Sequence, residues 1–249
     1  MISRPIAYIT TSWDDGHPLD ERVAELLAKY DLTGTFYIPR QSQRPTMDEG
    51  QLRRLAERFE VGGHTLRHVA LTQITPAEAE EEIRGSKRWI EDVTGTSCAM
   101  FCPPMGKFRR EHLAMARECG FAGIRTVELL SIGAPRECDG IVVMPTTIQA
   151  YPHGMMSYLK NAARRGAAGN FWRWVRMGRS GDWVRFAQRV LDEVLRCGGV
   201  FHLWGHSWEI EENGQWPQVE EAMRILAGAK DRARCVANGD LCRRVTSEE

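Results

Sequence analysis

The fold is set by the first apolar stretch of the chain, Ile6-Ala7-Tyr8-Ile9-Thr10-Thr11-Ser12-Trp13-Asp14-Asp15-Gly16. It starts as an apolar run of strand length and ends in two carboxylates and a glycine, which is typical of a turn. Behind it, Val23, Leu26, Leu27 and Tyr30 recur at i, i+3, i+4 and i+7, the period of a helix. A buried strand, a polar turn and a helix together form the repeating unit of a parallel sheet.

The same alternation continues through most of the 249 residues. Further strands are predicted at 34–39, 60–65, 98–102, 123–127, 141–144 and 199–204. Capping boxes predict helix starts at Thr46-x-x-Glu49 and at Thr75-Pro76-Ala77-Glu78, and the second of these helices should run to about Val93. Two more helices are expected, at 109–119 and around 219–226. About seven such units favour an α/β protein that forms one barrel-like domain over residues 1–249, with an open doubly wound sheet as the alternative.

Composition excludes several classes of protein. Hydrophobic residues make up 43% and charged residues 27%, an ordinary globular mixture. Lys+Arg and Asp+Glu are both 33, so the zero net charge gives no reason to expect nucleic-acid binding. No apolar run reaches the roughly 18–20 residues of a membrane-spanning helix, and the start of the sequence lacks the pattern of a signal peptide. Seven cysteines without regular spacing favour reduced thiols, and we therefore expect a cytoplasmic protein.

One segment, about 152–197, is too long for a simple crossover and predicts a helical insertion before the last strand. From Lys160 to Arg189 it carries eight basic residues and one acid, Asp182, with tryptophans interleaved. It fits a structural helical layer with a solvated basic face. It also fits a lid that binds an anionic substrate or contacts a membrane surface.

Polar residues recur where three predicted strands end, namely Asp14-Asp15, His64 with His68, and His206. The carboxyl ends of parallel strands share one face of a barrel, where active sites are built. Two imidazoles four residues apart, together with Asp15, form a three-ligand set with open positions, as in a catalytic metal site. One divalent ion is expected; zinc is the default, and Co, Mn, Ni or Fe are alternatives.

The remaining polar groups at this face suggest acid–base roles. Two adjacent carboxylates cannot easily bind one ion, so one ligand and one base is the simplest division. His206 is placed to protonate a leaving group, and His153 is placed to line the pocket. An Fe(II) oxygenase could use the same ligand types, but such enzymes are usually all-β, which the strand–helix alternation disfavours.

The same residues resemble the motifs of the NodB-homology polysaccharide deacetylases, carbohydrate esterase family 4. The matching segments, in chain order, are Thr11-Ser12-Trp13-Asp14-Asp15-Gly16, Gly63-His64-Thr65-x-x-His68, Phe101-Cys102-Pro103-Pro104-Met105-Gly106 and Leu203-Trp204-x-His206. The resemblance implies a distorted (β/α)7 barrel and metal-dependent removal of an acyl group from an amide. It implies Asp14 as the base, His206 as the acid, and Asp15, His64 and His68 as metal ligands.

Two family features have no counterpart in the sequence. The arginine that opens the family's third motif, R-P-P-[YF]-G, is Cys102 here, and the aromatic residue is Met105. In the family, that arginine orients the base. The backbone N–H of Met105 remains able to stabilise an oxyanion. The fourth motif, an Asp with a Trp that tunes the acid histidine, finds no match near Met144 to Gln149.

The sequence therefore predicts a metal-dependent hydrolase that removes an acetyl or formyl group from an N-acylated sugar or a related small molecule. The tentative substrate or oxyanion residues are Met105, Pro104, Cys102, His153 and Trp204. The basic insertion favours a phosphate-bearing carbohydrate, such as a nucleotide sugar or a lipid-linked sugar at a membrane surface. The alternative is a non-catalytic relative that binds carbohydrate or metal. The oligomeric state is left open.

Overall fold

One curled sheet organises the described part of the chain. In the computed structural model this part comprises residues 6–153, 160–161, 169, 172, 175 and 182–247. Ten strands form the sheet: β1 Ala7–Asp14, β2 Thr35–Ile38, β3 Glu60–Gly63, β4 Met100–Phe101, β5 Gly123–Arg125, β6 Arg136–Cys138, β7 Ile141–Met144, β8 Ile148–Gln149, β9 Gly199–Gly205 and β10 Arg234–Cys235. Among these strands, only the β6–β7 pair is antiparallel.

The strand order is β6-β7-β5-β4-β3-β2-β1-β9-β8, with β10 pairing to β1. β7 and β8 lie at opposite sides of this order, although only residues 145–147 separate them in the chain. The segment 141–149 therefore joins the two sides of the sheet and curls it into a barrel. This confirms the predicted α/β barrel. The short strands β6, β8 and β10 were not predicted.

Helices pack around the sheet. The described residues contain α1 Asp20–Lys29, α2 Glu49–Ala56, α3 Pro76–Thr94, α4 Arg110–Glu118, α5 Trp183–Cys197, α6 Ser207–Glu212, α7 Trp216–Ala227 and α8 Asn238–Ser247. Short 3-10 turns occur at Leu71–Gln73 and Pro104–Gly106. The apolar stripes predicted from the sequence face the core, as Val23 and Leu27 of α1 show, both fully buried.

The two predicted helix starts had different outcomes. Thr75 caps α3 as expected: its hydroxyl accepts from the Glu78 N–H, and the Glu78 carboxylate accepts from the Thr75 N–H. The predicted start at Thr46 was wrong, because Asp48 caps α2 in a capping box with Gln51. The Met47 N–H donates to the carbonyl of Gly16. The chain before Asp48 is thus still tied to the turn after β1, and the helix begins later.

The last described segment returns the chain to the amino ends of the strands. Asn238, at the start of α8, accepts a hydrogen bond from Thr10 of β1 and donates to the hydroxyl of Tyr37. The Glu60 carboxylate accepts from the N–H of Gly239 and so caps this helix. These buried contacts pair the bottom of the barrel with α8 and leave the carboxyl ends of the strands for a site.

Only part of the predicted insertion is described. α5 accounts for its end, with Asp182 as the N-cap. Arg164, Arg165, Arg173, Arg176, Arg179 and Trp174 lie outside the described residues, so the predicted role of this basic segment stays a prediction.

Two further expectations concern bilayers and thiols. Among the described residues, no helix combines the length and the apolar character that crossing a bilayer requires. None of the seven cysteines forms a disulfide, as the irregular spacing suggested.

Candidate active site

A cavity of about 490 Å³ opens at the carboxyl ends of the parallel strands. Its wall carries nearly all the polar residues that the sequence singled out, together with apolar side chains. The lining residues are Asp14, Asp15, His64, His68, Pro103, Met105, Val127, Leu129, Gln149, His153, Lys160, Asn161, Trp204, His206 and Trp208. Its volume is ordinary for a small-molecule site.

Three candidate metal ligands converge in this cavity. The Nε2 atoms of His68 and His64 lie 3.0 Å and 3.4 Å from Oδ1 of Asp15. Ligand atoms of all three residues lie within 4.8 Å of one another. This spacing suits one ion bound by two imidazoles and a carboxylate, a donor set that leaves coordination positions open.

The backbone fixes how His64 faces this cluster. Its Nδ1 lies 2.6 Å from the carbonyl oxygen of Cys102. A carbonyl can only accept, so Nδ1 carries a proton, and Nε2, the nitrogen that can bind an ion, faces Asp15. Metal-binding histidines are commonly oriented in this way. Residue 102 thus contributes its backbone carbonyl to the site, which any residue type would supply.

The charge of Asp15 also fits a cation. Burial opposes its ionisation, but hydrogen bonds from His64 and His68 and the charge of His206 hold the pKa of this carboxyl well below its usual range. A carboxylate that stays ionised and faces two imidazole nitrogens is a donor set that a divalent ion can use. The residues present therefore fit a metal ion.

Left-handed backbone conformations cluster around the cavity. Asp15, Thr65, His68 and Met105 have φ values of 79°, 61°, 52° and 58°. Such angles are uncommon for residues with side chains and are often retained at functional sites. Gly16 also has a φ of 60°, and a Cβ there would lie 2.6 Å from Cγ2 of Ile38. The motif Asp14-Asp15-Gly16 is thus a tight turn that faces both carboxylates toward the cavity.

A buried ion pair holds the candidate base. Nη2 of Arg125 donates to Oδ1 of Asp14, and both side chains are almost completely buried. The guanidinium lies 5.0 Å from the ring of Tyr37 and 4.9 Å from that of Trp204. Burial opposes its ionisation, yet the charge of Asp14 raises the pKa of Arg125 above its ordinary value.

This ion pair corrects the expectation that an orienting arginine is missing. The sequence places Cys102 at the position before Pro103-Pro104, directly after β4. The structure supplies the cation from β5 instead. A signal was available: Arg125 stands at the end of an apolar strand, where a charge needs a buried partner.

A series of hydrogen-bonded side chains includes the candidate acid, His206. Nδ1 of His206 lies 3.2 Å from Oε2 of Glu209, which also accepts from Nε2 of Gln149 at 2.8 Å. Nε2 of His153 lies 2.7 Å from Oε1 of Gln149. Burial disfavours the charged form of His206, but Glu209, Asp15 and Asp14 outweigh it and raise the pKa of His206. Glu209 therefore stands where the sequence found no partner for this histidine.

Of the four remaining predicted residues, two line the cavity and two do not. Met105 and Trp204 line it, and the Met105 side chain is exposed. Pro104 and Cys102 are buried and are not among its lining residues; Pro103 lines it instead. Burial raises the pKa of the Cys102 thiol well above its usual value.

A second group of potential ligands comprises Asp14, His64 and Cys102. It is the weaker candidate for three reasons. Its Asp14 carboxylate already pairs with Arg125, its thiol resists deprotonation, and its histidine Nε2 faces Asp15. We therefore assign the ion to Asp15, His64 and His68 in the proposal below.

Among the described residues of the predicted insertion, His153, Lys160 and Asn161 line the cavity. Asn161 accepts from the N–H of Leu129 and donates to the carbonyl of Val127. These two bonds tie the chain to the segment that follows β5. The neighbouring Lys160 lines the cavity and is exposed to solvent.

Comparison with sequence families gives one match. Residues 3–124, about half of the chain, match the family described as polysaccharide deacetylase. The Bacillus subtilis (strain 168) protein YxkH, provisionally named a polysaccharide deacetylase, is 23% identical over 117 residues. That alignment covers 45% of this chain and 42% of YxkH, so the chain matches less than half of this relative.

Solved structures share the whole fold at low sequence identity. A Mycobacterium smegmatis protein, provisionally called a polysaccharide deacetylase, superposes with a TM-score of 0.68 at 12% identity, covering 100% of this chain and 93% of its own. BA3943 from Bacillus anthracis, described as a pseudoenzyme of carbohydrate esterase family 4, gives a TM-score of 0.57 at 16% identity. The coverage is 96% of this chain and 66% of that one. These similarities establish the fold.

Proposed function

Since the chain belongs to the polysaccharide deacetylase family, we propose that it is a metal-dependent hydrolase that removes an acyl group from an N-acylated sugar. One observation carries the proposal. The ligand atoms of Asp15, His64 and His68 converge in a cavity that also contains a buried Asp14–Arg125 pair and the His206–Glu209 pair. Three ligands, one oriented carboxylate and one imidazole paired with a carboxylate are the groups that amide hydrolysis needs.

A divalent ion on Asp15, His64 and His68 would acidify a water molecule and polarise the acyl carbonyl. We take zinc as the expected ion, because two imidazoles and a carboxylate are common zinc ligands; Co, Mn, Ni and Fe suit the same set. Asp14 then accepts the proton of the attacking water. Arg125 holds its carboxylate in place through Oδ1, which leaves Oδ2 for that proton.

His206 supplies the second proton transfer. Glu209 and the two aspartates raise its pKa, which favours the protonated form that can donate to the departing amine. Glu209 holds Nδ1, so Nε2 is the atom that donates. The backbone N–H of Met105, in its left-handed turn at the cavity wall, is the proposed donor to the acyl oxygen.

The substrate in this proposal carries an anionic group. Lys160 lines the cavity from the insertion, and the Asn161 bonds to residues 127 and 129 fix its backbone there. The cavity otherwise contains the carboxylates of Asp14 and Asp15, which would repel an anion placed beside them. A phosphate or carboxylate at the Lys160 side, distant from the acyl group, would pair with the lysine and stay away from the two aspartates.

The alternative is a relative that binds carbohydrate or metal without turnover, and one experiment separates the two. The protein is stripped with a chelator, reloaded with zinc or cobalt, and incubated with N-acetylated and N-formylated sugars. Free acetate and formate are then measured. The proposal expects acyl release that stops on stripping and returns with the metal. Metal or sugar binding with no acyl release from any of these substrates would support the non-catalytic alternative.

A further inference from the structure

The two oxygens of the Asp15 carboxylate have different partners. Oδ1 faces Nε2 of both histidines, at 3.0 Å and 3.4 Å. Oδ2 accepts a hydrogen bond of 2.8 Å from the indole Nε1 of Trp208. An indole N–H can only donate, so it presents a fixed hydrogen-bond donor to this second oxygen.

The indole is itself held in place. The guanidinium of Arg44 stacks on the Trp208 ring at 3.5 Å from its centroid. Nη1 of Arg44 lies 2.5 Å from Oε1 of Glu212, at the other end of the same helix, α6. The His206 ring lies 5.3 Å from the indole, centroid to centroid. A stacked cation, an ion pair and a neighbouring ring thus restrict how far Trp208 can turn.

We propose that Trp208 is a positioning residue that makes Asp15 bind the metal through Oδ1 alone. This inference rests on the proposed metal site. A hydrogen bond to the second oxygen opposes the rotation of the carboxylate that would offer both oxygens to the ion. Positions for the water and the acyl oxygen then stay open. Trp208 acts on the ion through Asp15 and need not touch the substrate to do so.

Nothing in the sequence motifs assigned this role. Trp208 lies two residues beyond His206, on the first turn of α6, and its partner Asp15 lies 193 residues earlier. The barrel brings the two together because β1 and β9 are neighbours, with Trp13 aligned to Gly205. The same alignment places the candidate acid beside the positioning indole, with ring centroids 5.3 Å apart.

The test variant is Trp208→Phe, which keeps a ring under Arg44 and removes the N–H. The zinc dissociation constant is measured by competition with a chromophoric chelator. Loss of such a partner typically weakens metal binding by about 10–100-fold, and we expect a change in that range. The matched control is Trp183→Phe, since Nε1 of Trp183 donates to Gln215 at 3.0 Å and Trp183 is not among the residues that line the cavity. The control should bind zinc like the wild type.

Cobalt gives a second readout that packing alone would not change. In the wild type, one carboxylate oxygen and two imidazoles leave room for a low coordination number. When Oδ2 is freed in Trp208→Phe, the visible spectrum of bound Co²⁺ should shift to that of a higher coordination number. A thermal melt of each variant shows that the fold persists. If Trp208→Phe does not fold, Trp208→Leu serves in its place, because it also removes the N–H and Trp208 is only partly buried.

The outcomes separate this inference from the proposed function. If the wild-type protein binds no divalent ion at these residues, the proposed function itself fails. If the wild type binds zinc, and the folded Trp208→Phe variant binds it equally well with an unchanged cobalt spectrum, the positioning role is refuted. If only Trp208→Leu can be measured, unchanged zinc affinity refutes the role in the same way.

Discussion

Replacing Arg125 with methionine tests the buried ion pair that holds the candidate base. Methionine fills a similar volume, but it leaves the Asp14 carboxylate buried without its cation. Asp14 is 3% exposed and Arg125 is 0% exposed, so water cannot replace the lost partner. Breaking one side of such a pair typically costs about 3–5 kcal/mol of the free energy of unfolding. For a chain of this size, that corresponds to a melting temperature lower by roughly 6–20 °C.

The assay is urea unfolding at pH 8, compared with a matched variant at the surface. Arg110 pairs with Asp139 through two contacts, but its side chain is 84% exposed. Arg110→Met should therefore change stability by no more than about 0.5 kcal/mol. The double variant Asp14→Asn/Arg125→Met removes both charges and should recover part of the loss, which shows that the uncompensated carboxylate is its cause.

Activity gives an independent measure of the same pair. Without Arg125, the Asp14 carboxylate loses the group that orients it, so kcat/KM should fall. The reasoning is refuted if Arg125→Met loses less than about 1 kcal/mol and keeps the wild-type kcat/KM, since an ion pair of this kind would cost more.

Three further predictions concern the other groups of the site. Asp14→Asn should retain the metal, measured by atomic emission, while turnover falls about 10²–10⁴-fold; loss of the ion as well would make Asp14 a ligand. Glu209→Gln removes a group that raises the pKa of His206, so the alkaline limb of the activity profile should move to lower pH, and an unmoved limb would exclude this pairing. Lys160→Met should raise KM for phosphate-bearing N-acyl sugars and leave KM for neutral ones unchanged, and equal effects on both would contradict an anion subsite.

The sequence predicted the helices and strands that are long enough to show a hydrophobic pattern. α3 has a cap, an N-terminal proline and a Gly95 stop, so its bounds could be predicted closely. β8 and β10 have two residues each, too short for any pattern. They exist because neighbouring strands offer hydrogen-bonding partners, which is information that lies elsewhere in the chain.

The site shows the same division between local and distant information. His64 and His68 could be paired from their spacing, and Glu209 is only three residues from His206, so its role was accessible as well. Arg125 was missed because its partner lies 111 residues away and on a different strand. The family motif specifies an arginine at one position of the sequence. The Asp14 carboxylate only needs a cation nearby in space, and Arg125 supplies it.

The neighbours of β1 bear on how the protein is made. This strand carries Asp14 at its end, and it is flanked by β2 on one side and by β9, at residues 199–205, on the other. At about 5–20 residues per second, a ribosome needs roughly 10–40 s to make the chain between β1 and β9. During that time β1 has one exposed edge, and the cavity lacks the strand that precedes His206. Completion of the barrel must therefore follow synthesis of β9, which makes folding slow and leaves the unfinished chain prone to edge-to-edge association.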